Sequence, residues 1–404
     1  MLIRKAFKFK LKTNPDIEHT LRQFEGANRF VWNKALGLNV ARLERHEKKN
    51  RRIIGYNDFA GLLRLWKQSE EMSFLKDVQS QTLQQTLKDL EKATRDAFNP
   101  RQPLKQFPVF KRKHDSNGFR FPQGIKMLGN RIYLPKIGWV RYFNSRKVEG
   151  DIKNVTVSRS GKNWFASIQV ELQINEYTEK PKKAIGVDLG ISKNAALSDG
   201  SFLEGSRSFK NYKKKLAIAQ KKMSKKVRFS ANWKKAKSKI QRIHEKISNT
   251  RKDRIHWMTT FLSRQFTEIY IEDLKIKNMS KSASGTKESP GRMVAQKKGL
   301  NREILDQGWF EFKRQLTYKQ DWSGGLLQSV NAAYTSQKCS NRQCGYTAKK
   351  NRENQSVFRC KMCGHSENAD TNAAKNILAA GLAVFACGED ALATSVKQEP
   401  LAVR

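Results

Sequence analysis

The stretch Ala184-Ile185-Gly186-Val187-Asp188-Leu189-Gly190 constrains the chain more than any other. Large and small apolar residues alternate along it, an acid arrives at its end, and a glycine lets the chain turn. That is the pattern of a buried strand delivering one carboxylate to a sheet end. Two further strand-like segments follow, Lys193 to Gly200 with its Asp-Gly turn and Ser201 to Gly205. The stretch Glu268-Ile269-Tyr270-Ile271-Glu272-Asp273-Leu274 repeats the logic, with Glu272 where the strand leaves the sheet. A third acid, Asp370, opens a helix that carries Ala373, Ala374 and Ile377 on its face. Taken singly, each acid has a plain structural explanation: a strand-end acid at a turn, a solvated acid, or a helix N-cap.

Taken together, three carboxylates repel one another unless divalent cations sit between them. Two Mg²⁺ ions held this way suit phosphodiester hydrolysis, with no His or Cys nucleophile. A strand, a tight turn and a second strand, with an Asp on the first, is also how an RNase H-like sheet begins. The cysteines point to a second metal. Cys339 and Cys344 have four residues between them, Cys360 and Cys363 have two, and fifteen separate the pairs. Gly345 and Gly364 follow the second member of each pair. Two knuckles of this kind suit one structural zinc ion on four thiolates, with reduced unliganded thiols as the alternative. Cys387 falls outside the pattern, and His365 is not needed as a ligand.

Charge names the class of partner. Among 404 residues, 80 Lys and Arg face 37 acids, for a formal charge of +43. Such an excess calls for a polyanion. Nucleic acid is favoured over an anionic membrane, since no run of 18 apolar residues occurs. The N-terminus alternates basic and apolar residues rather than forming a signal segment, so a cytosolic location is expected. The excess peaks between Arg207 and Arg254, where 19 Lys and Arg meet two acids, Glu245 and Asp253. Ile240, Ile243 and Ile247 give that region one apolar stripe, so a basic helix or helix pair that contacts nucleic acid is predicted.

The N-terminal part reads as a strand, a helical region and a β module. Ile3, Phe7, Phe9 and Leu11 share one face of a first strand, residues 3–12. Helices are expected after Asn14-Pro15-Asp16, over about 57–68 with Leu65 and Trp66 on the apolar face, and over about 80–98 with Phe98 inside. Asn33 and Asn39 receive no role. The basic cluster after Phe107-Pro108 suits either phosphate contact or a solvated loop. Strands are expected at 131–134, 138–142, 152–158 and 164–172. With the first strand these could close into a small barrel interrupted by the helices, bounded by Pro181. Residues 275–298, rich in Lys, Ser, Gly and Asn, read as a mobile loop. A helix is expected from Gln307, a strand over 326–331, and no regular structure in the tail.

Four motifs in this order resemble the TnpB (OrfB) proteins of bacterial insertion sequences, relatives of the type V CRISPR nucleases. They are Gly186-Val187-Asp188-Leu189-Gly190-Ile191, Ile271-Glu272-Asp273-Leu274, Tyr334-Thr335-Ser336-Gln337-Lys338-Cys339 and Asn368-Ala369-Asp370-Thr371-Asn372-Ala373-Ala374. The resemblance implies an α+β multidomain fold, with a β-barrel wedge module interrupted by a helical lobe. A RuvC-like, RNase H-like nuclease domain with an inserted zinc ribbon follows. Expected boundaries are 1–12 and 118–182 for the wedge, 13–117 for the helical lobe, 183–335 and 367–382 for the nuclease, 336–366 for the ribbon and 383–404 for a disordered tail. The implied activity is Mg²⁺-dependent cleavage of DNA beside a short transposon-adjacent motif, guided by an RNA from the transposon end, by a monomer. The implied catalytic, magnesium-binding acids are Asp188, Glu272 and Asp370. Local resemblance assigns reading of the adjacent DNA motif to Tyr56, Gln84 and Gln123, whose polar side chains suit base edges.

Two departures stand out. The first cysteine pair is wider than usual, and Asn368-Ala369 stand where the family often has Asp-Arg. Two other classes are the alternatives: an RNA-guided repressor without cleavage, which would be marked by loss of an acid, and an unguided zinc-ribbon nucleic-acid binder, which would not need three acids in this order.

Overall fold

Alternation of basic and apolar residues at the N-terminus produces one long strand, β1 (Leu2–Lys12), with Ile3, Phe7, Phe9 and Leu11 buried. The structure is a computed structural model that describes residues 1–45, 53–113, 118–174, 183–286, 288–331 and 333–386. The chain divides into two units between Glu176 and Tyr177.

In the first unit, β1 leads into three helices: α1 (Pro15–Arg45), α2 (Tyr56–Gln68) and α3 (Ser80–Ala97). Asn14 caps α1 by accepting from Ile17 N at 2.8 Å. The buried face of α1 carries Leu21, Phe24, Ala27, Val31, Ala35 and Leu36, at helical spacing. Six strands follow: β2 (Phe119–Phe121), β3 (Lys126–Leu128), β4 (Arg131–Leu134), β5 (Gly138–Tyr142), β6 (Asp151–Ser160) and β7 (Asn163–Gln173). They form one sheet in the order β2-β6-β7-β1-β5-β4-β3. β1 joins its two halves, pairing with β7 along most of its length and with β5 at Leu11 and Lys12. Among the described residues no pairing joins β2 to β3, so the expected barrel is a sheet not closed by strand pairing. One core holds the sheet and the helices together, including Phe9, Phe24, Phe59, Leu87, Phe121 and Trp164.

Two apolar side chains expected inside are outside: Leu65 on α2 and Phe98 just past α3 are both more than half exposed. Leu65 lies between the buried Leu63 and Trp66, where the helix turns its polar side outward. Pro181 lies outside the described residues.

The second unit is built on a sheet of five strands: β8 (Ala184–Leu189), β9 (Ala195–Leu197), β10 (Phe202–Leu203), β11 (Glu268–Glu272) and β12 (Leu326–Val330). The order is β10-β9-β8-β11-β12. β8, β9 and β10 run antiparallel, while β11 runs parallel to both β8 and β12. Helices α4 (Ser208–Ser224) and α5 (Ala231–Gln265) separate β10 from β11. α6 (Ile276–Met279), α7 (Val294–Gln307) and α8 (Trp309–Ser323) separate β11 from β12. After β12 come the short hairpin β13 (Val357–Arg359) and β14 (Ser366–Asn368), then α9 (Ala369–Ala386).

The two-residue period of the strands divides the sheet into two faces. Ile185, Val187, Ile269 and Ile271 pack with Ile255, Met258 and Leu262 of α5 and Phe312 and Leu316 of α8. The alternate positions face α9, where Tyr270 and Val330 meet Ile377. Gly186 is on that face because α9 comes too close for a side chain: a Cβ there would stand 2.1 Å from the Ala374 carbonyl oxygen.

The segment 275–298 departs from the expected loop. It holds α6, an isolated bridge between Gly285 and Pro290, and the first turn of α7. Gly308, at φ 70°, is the break between α7 and α8. The last helix runs on to Ala386, four residues past the expected domain end; Cys387 and the rest of the tail lie outside the described residues. Among the described residues no helix is long and apolar enough to cross a membrane.

Candidate active site and zinc ribbon

Asp188 and Glu272 occupy corresponding places on neighbouring strands. The last pair of the parallel β8–β11 ladder is Val187 with Ile271, and each acid is the next residue on. Both belong to the face that α9 covers, and Asp370 stands in the first turn of α9. Asp188 is half-buried, and its carboxyl is raised to about 7, first by burial and then by the charges of Glu272 and Asp370. Burial also raises Glu272, against a 2.6 Å hydrogen bond that its Oε1 accepts from Thr335 Oγ1. The structure thus sets Asp188 within electrostatic reach of both other acids.

Asp370 is not the helix cap. Asn368 Oδ1 accepts from the backbone N–H groups of Asp370 and Thr371, at 3.0 and 3.3 Å. The Asp370 carboxylate is left to face Arg352, whose Nη2 lies 3.3 Å from Oδ1. Arg352 and Thr335 were given no role from sequence. Thr335 lay inside a recognised motif, whereas nothing set Arg352 apart from the other cations.

The ribbon closes despite its wide first knuckle. Sγ of Cys339 lies 3.7 Å from that of Cys363, and Sγ of Cys344 lies 3.7 Å from that of Cys360. All four sulfurs fall within 4.8 Å of one another. Four sulfurs placed tetrahedrally at a Zn–S distance of about 2.3 Å stand roughly 3.8 Å apart, so the set fits that ion. Gly345 and Gly364 take φ of 57° and 72°, the left-handed turn that closes each knuckle. Burial pushes the Cys339 thiol up to about 12. Burial acts the same way on Cys360, but backbone N–H groups of Cys363 and Met362 bring it down to about 7. Among the described residues, only the four cysteines gather three or more His, Cys, Asp or Glu donors closely enough to hold an ion as they stand. His365 is turned to Glu367 and Ser340 instead.

Two buried asparagines tie the ribbon to α9. Asn376 Nδ2 donates to the carbonyls of Thr335 and Lys338, at 2.9 and 2.7 Å. One turn earlier, Asn372 donates to Lys338 O and accepts from Ser340 N. The same short segment therefore anchors the ribbon and sets Thr335 against Glu272.

The basic region is a pair of helices, α4 and α5, packed on each other, with Ile247 buried and Ile240 and Ile243 half-buried along the stripe. Asp306 of α7 fastens its base, accepting from Ser208 Oγ and Phe209 N and pairing with Arg251. In the first unit, Tyr56 opens α2 and Gln84 lies on α3, both half-buried. Lys88, one turn from Gln84, holds its ammonium 4.7 Å from the centre of the Tyr56 ring. Gln123 is exposed in the turn between β2 and β3. Asn33 clamps the basic segment, pairing with both the N–H and the carbonyl of Lys111, while the Lys111 ammonium sits over Trp32.

Comparison with known proteins gives the family. Residues 167–283 match the OrfB_IS605 family, described as "Probable transposase", and residues 309–377 match the "Cas12f1-like, TNB domain". The second match spans all four ribbon cysteines. Residues 1–48 match a family described as "Helix-turn-helix domain", although here they hold β1 and α1. InsQ of Escherichia coli strain K12, provisionally named an RNA-guided DNA endonuclease, is 50% identical over 398 residues, 98% of this chain and 97% of its own. The chain belongs to the IS605 OrfB (TnpB) family. A relative from Streptomyces pristinaespiralis, also provisionally named an RNA-guided DNA endonuclease, is 31% identical over 412 residues, 98% of this chain and 96% of its own. A solved Cas12f1–sgRNA–target DNA complex overlaps 93% of this chain and 98% of that one, at 14% identity and a TM-score of 0.45.

Proposed function

We propose that this TnpB chain is an RNA-guided DNA endonuclease of a transposable element, with Asp188, Glu272 and Asp370 as its catalytic acids in a RuvC-like nuclease domain. One observation carries the reading. Two acids stand level at the ends of adjacent parallel strands, on the sheet face covered by the helix that the third acid begins. Half-buried carboxylates whose charges act on Asp188 are relieved by a divalent cation drawn in between them, and their hard oxygen donors suit magnesium. Magnesium bound there supplies the charge that stabilises the leaving oxygen and eases deprotonation of the attacking water.

The chain's own residues prepare that site. Thr335 orients Glu272, and Asn368 fixes the first turn of α9 and with it Asp370. Arg352 balances Asp370 and offers a guanidinium to a scissile phosphate. Cys339, Cys344, Cys360 and Cys363 hold a structural zinc ion, four thiolates leaving no open position for chemistry.

In this reading residues 1–12 and 118–182 form the wedge and residues 13–117 the recognition lobe. Tyr56, Gln84 and Gln123 read the adjacent DNA motif. The nuclease covers 183–335 and 367–382, with the ribbon at 336–366. Base pairing with the guide RNA reads the target, while the α4–α5 pair holds the heteroduplex by its backbone. Asp188→Ala tests the assignment. With guide RNA, target DNA and Mg²⁺, cleavage is abolished while RNA and target binding persist; cleavage at the unmutated rate would remove Asp188 from the site.

A further inference from the structure

The turn between α4 and α5 carries features that a solvated charge run does not require. Val227 and Phe229 alternate with Lys226 and Arg228, and both apolar side chains stand in solvent, 80% and 63% exposed. Phe229 sits at φ 68°, a backbone region that bulky side chains rarely adopt. A turn serving only to reverse the chain would place Gly or Asn there. The residues that follow hold the ring in place. Ser230 Oγ accepts from Trp233 N at 3.2 Å, capping α5. The Trp233 ring meets that of Phe229 at 5.4 Å between centroids, the planes 59° apart. Arg228 lies 5.0 Å from the Phe229 ring and Lys237 lies 5.3 Å from that of Trp233. No acid occurs between Arg207 and His244.

We propose that this turn is a base-stacking site, in which Phe229, backed by Trp233 and flanked by Arg228 and Lys237, receives the face of an unpaired nucleotide. The proposal rests on the nucleic-acid reading of the α4–α5 pair and extends it from the backbone to the base. Charge selects the class of partner, since an aromatic ring among cations and no acids matches a polyanion that carries flat apolar groups. Ring geometry selects the unpaired base. Two planes tilted by 59° form no continuous platform for a base pair, whereas one ring serves one base.

The test uses the full chain freed of copurifying nucleic acid. Its affinity is measured for a short oligothymidylate and for a blunt RNA–DNA duplex of the same length, across a salt series. Phe229→Leu weakens single-strand binding about fivefold or more at every salt concentration. The slope of log affinity against log salt stays unchanged, because no phosphate contact is lost. Duplex binding is also unchanged, and Phe229→Trp binds as the unmutated chain does. The exposed position means that neither substitution removes a core contact. A Phe229→Leu variant that binds the single strand normally, or that loses equal affinity for the duplex, overturns the stacking site alone. An unmutated chain that binds neither probe overturns the nucleic-acid reading of the helix pair, and this proposal with it.

Discussion

Replacing Gly186 by alanine should damage the active site without touching any acid. The new Cβ would lie 2.1 Å from Ala374 O and 2.7 Å from Leu378 N, where ordinary contact begins at 3.4 Å. Both obstacles are backbone atoms of α9, so no side chain can swing away, and the helix must shift by about 1.3 Å. Ala374 lies one turn beyond Asp370, so the acid moves with it. Overpacking of this kind costs about 1–3 kcal/mol, which lowers Tm by roughly 2–12 °C for a unit of this size. A misplacement of about 1 Å costs on the order of 100-fold in rate. The assay is a thermal melt beside cleavage of a guided target in Mg²⁺. Gly26→Ala is the control, since a Cβ there meets nothing within 4 Å. Normal melting and cleavage by Gly186→Ala would show that α9 is not seated on β8 as described, and the account of how Asp370 reaches Asp188 would fail.

Three further outcomes follow from named contacts. Thr335→Val removes the hydrogen bond that lowers the Glu272 carboxyl against its burial. A bond to a charged group is worth about 1.5–3 kcal/mol, so the Mg²⁺ concentration giving half-maximal cleavage rises roughly tenfold or more; an unchanged Mg²⁺ titration contradicts this. Cys360→Ser, or zinc chelation, unfolds the ribbon and abolishes cleavage, because Asn372 and Asn376 tie the Thr335–Ser340 segment to α9. Zinc content and calorimetry check it, and a zinc-free chain that cleaves normally would refute it. Lys319 is lowered to about 8 by burial and by Arg264, against 10.5 when unfolded. The folded state therefore binds fewer protons between those values, and stability rises with pH from about 8 to 10.5. Denaturant melts should show this rise relative to Lys319→Met, and parallel curves for the two proteins would refute it.

What could be read from the sequence was set by pattern. β1, β8 and β11 announce themselves because each alternates over five or more residues and ends in a change of residue type. The four cysteines announce themselves because thiols at knuckle spacing have few other uses. α7 was missed because, of its 14 residues, Ile304 is the one apolar side chain that is buried, and the rest resemble a linker. The exposed Leu65 and Phe98 were misplaced because helical periodicity fixes a face only to within one residue at its edges. Arg352 gave no signal, being one of 80 cations that becomes distinct only when folding sets it beside Asp370. The asparagines were silent for the same reason. Asn33 and Lys111 are 78 residues apart, and Asn376 and Thr335 are 41 apart. A partner at that distance leaves no local trace.

The most direct test of RNA-guided cleavage is to sequence the RNA that copurifies with the chain from its native host. The account predicts one discrete species, with a constant structured part and a 3′ segment matching DNA beside the gene. A heterogeneous mixture of cellular RNA would contradict guiding, and would leave the three acids as a nuclease site without a guide.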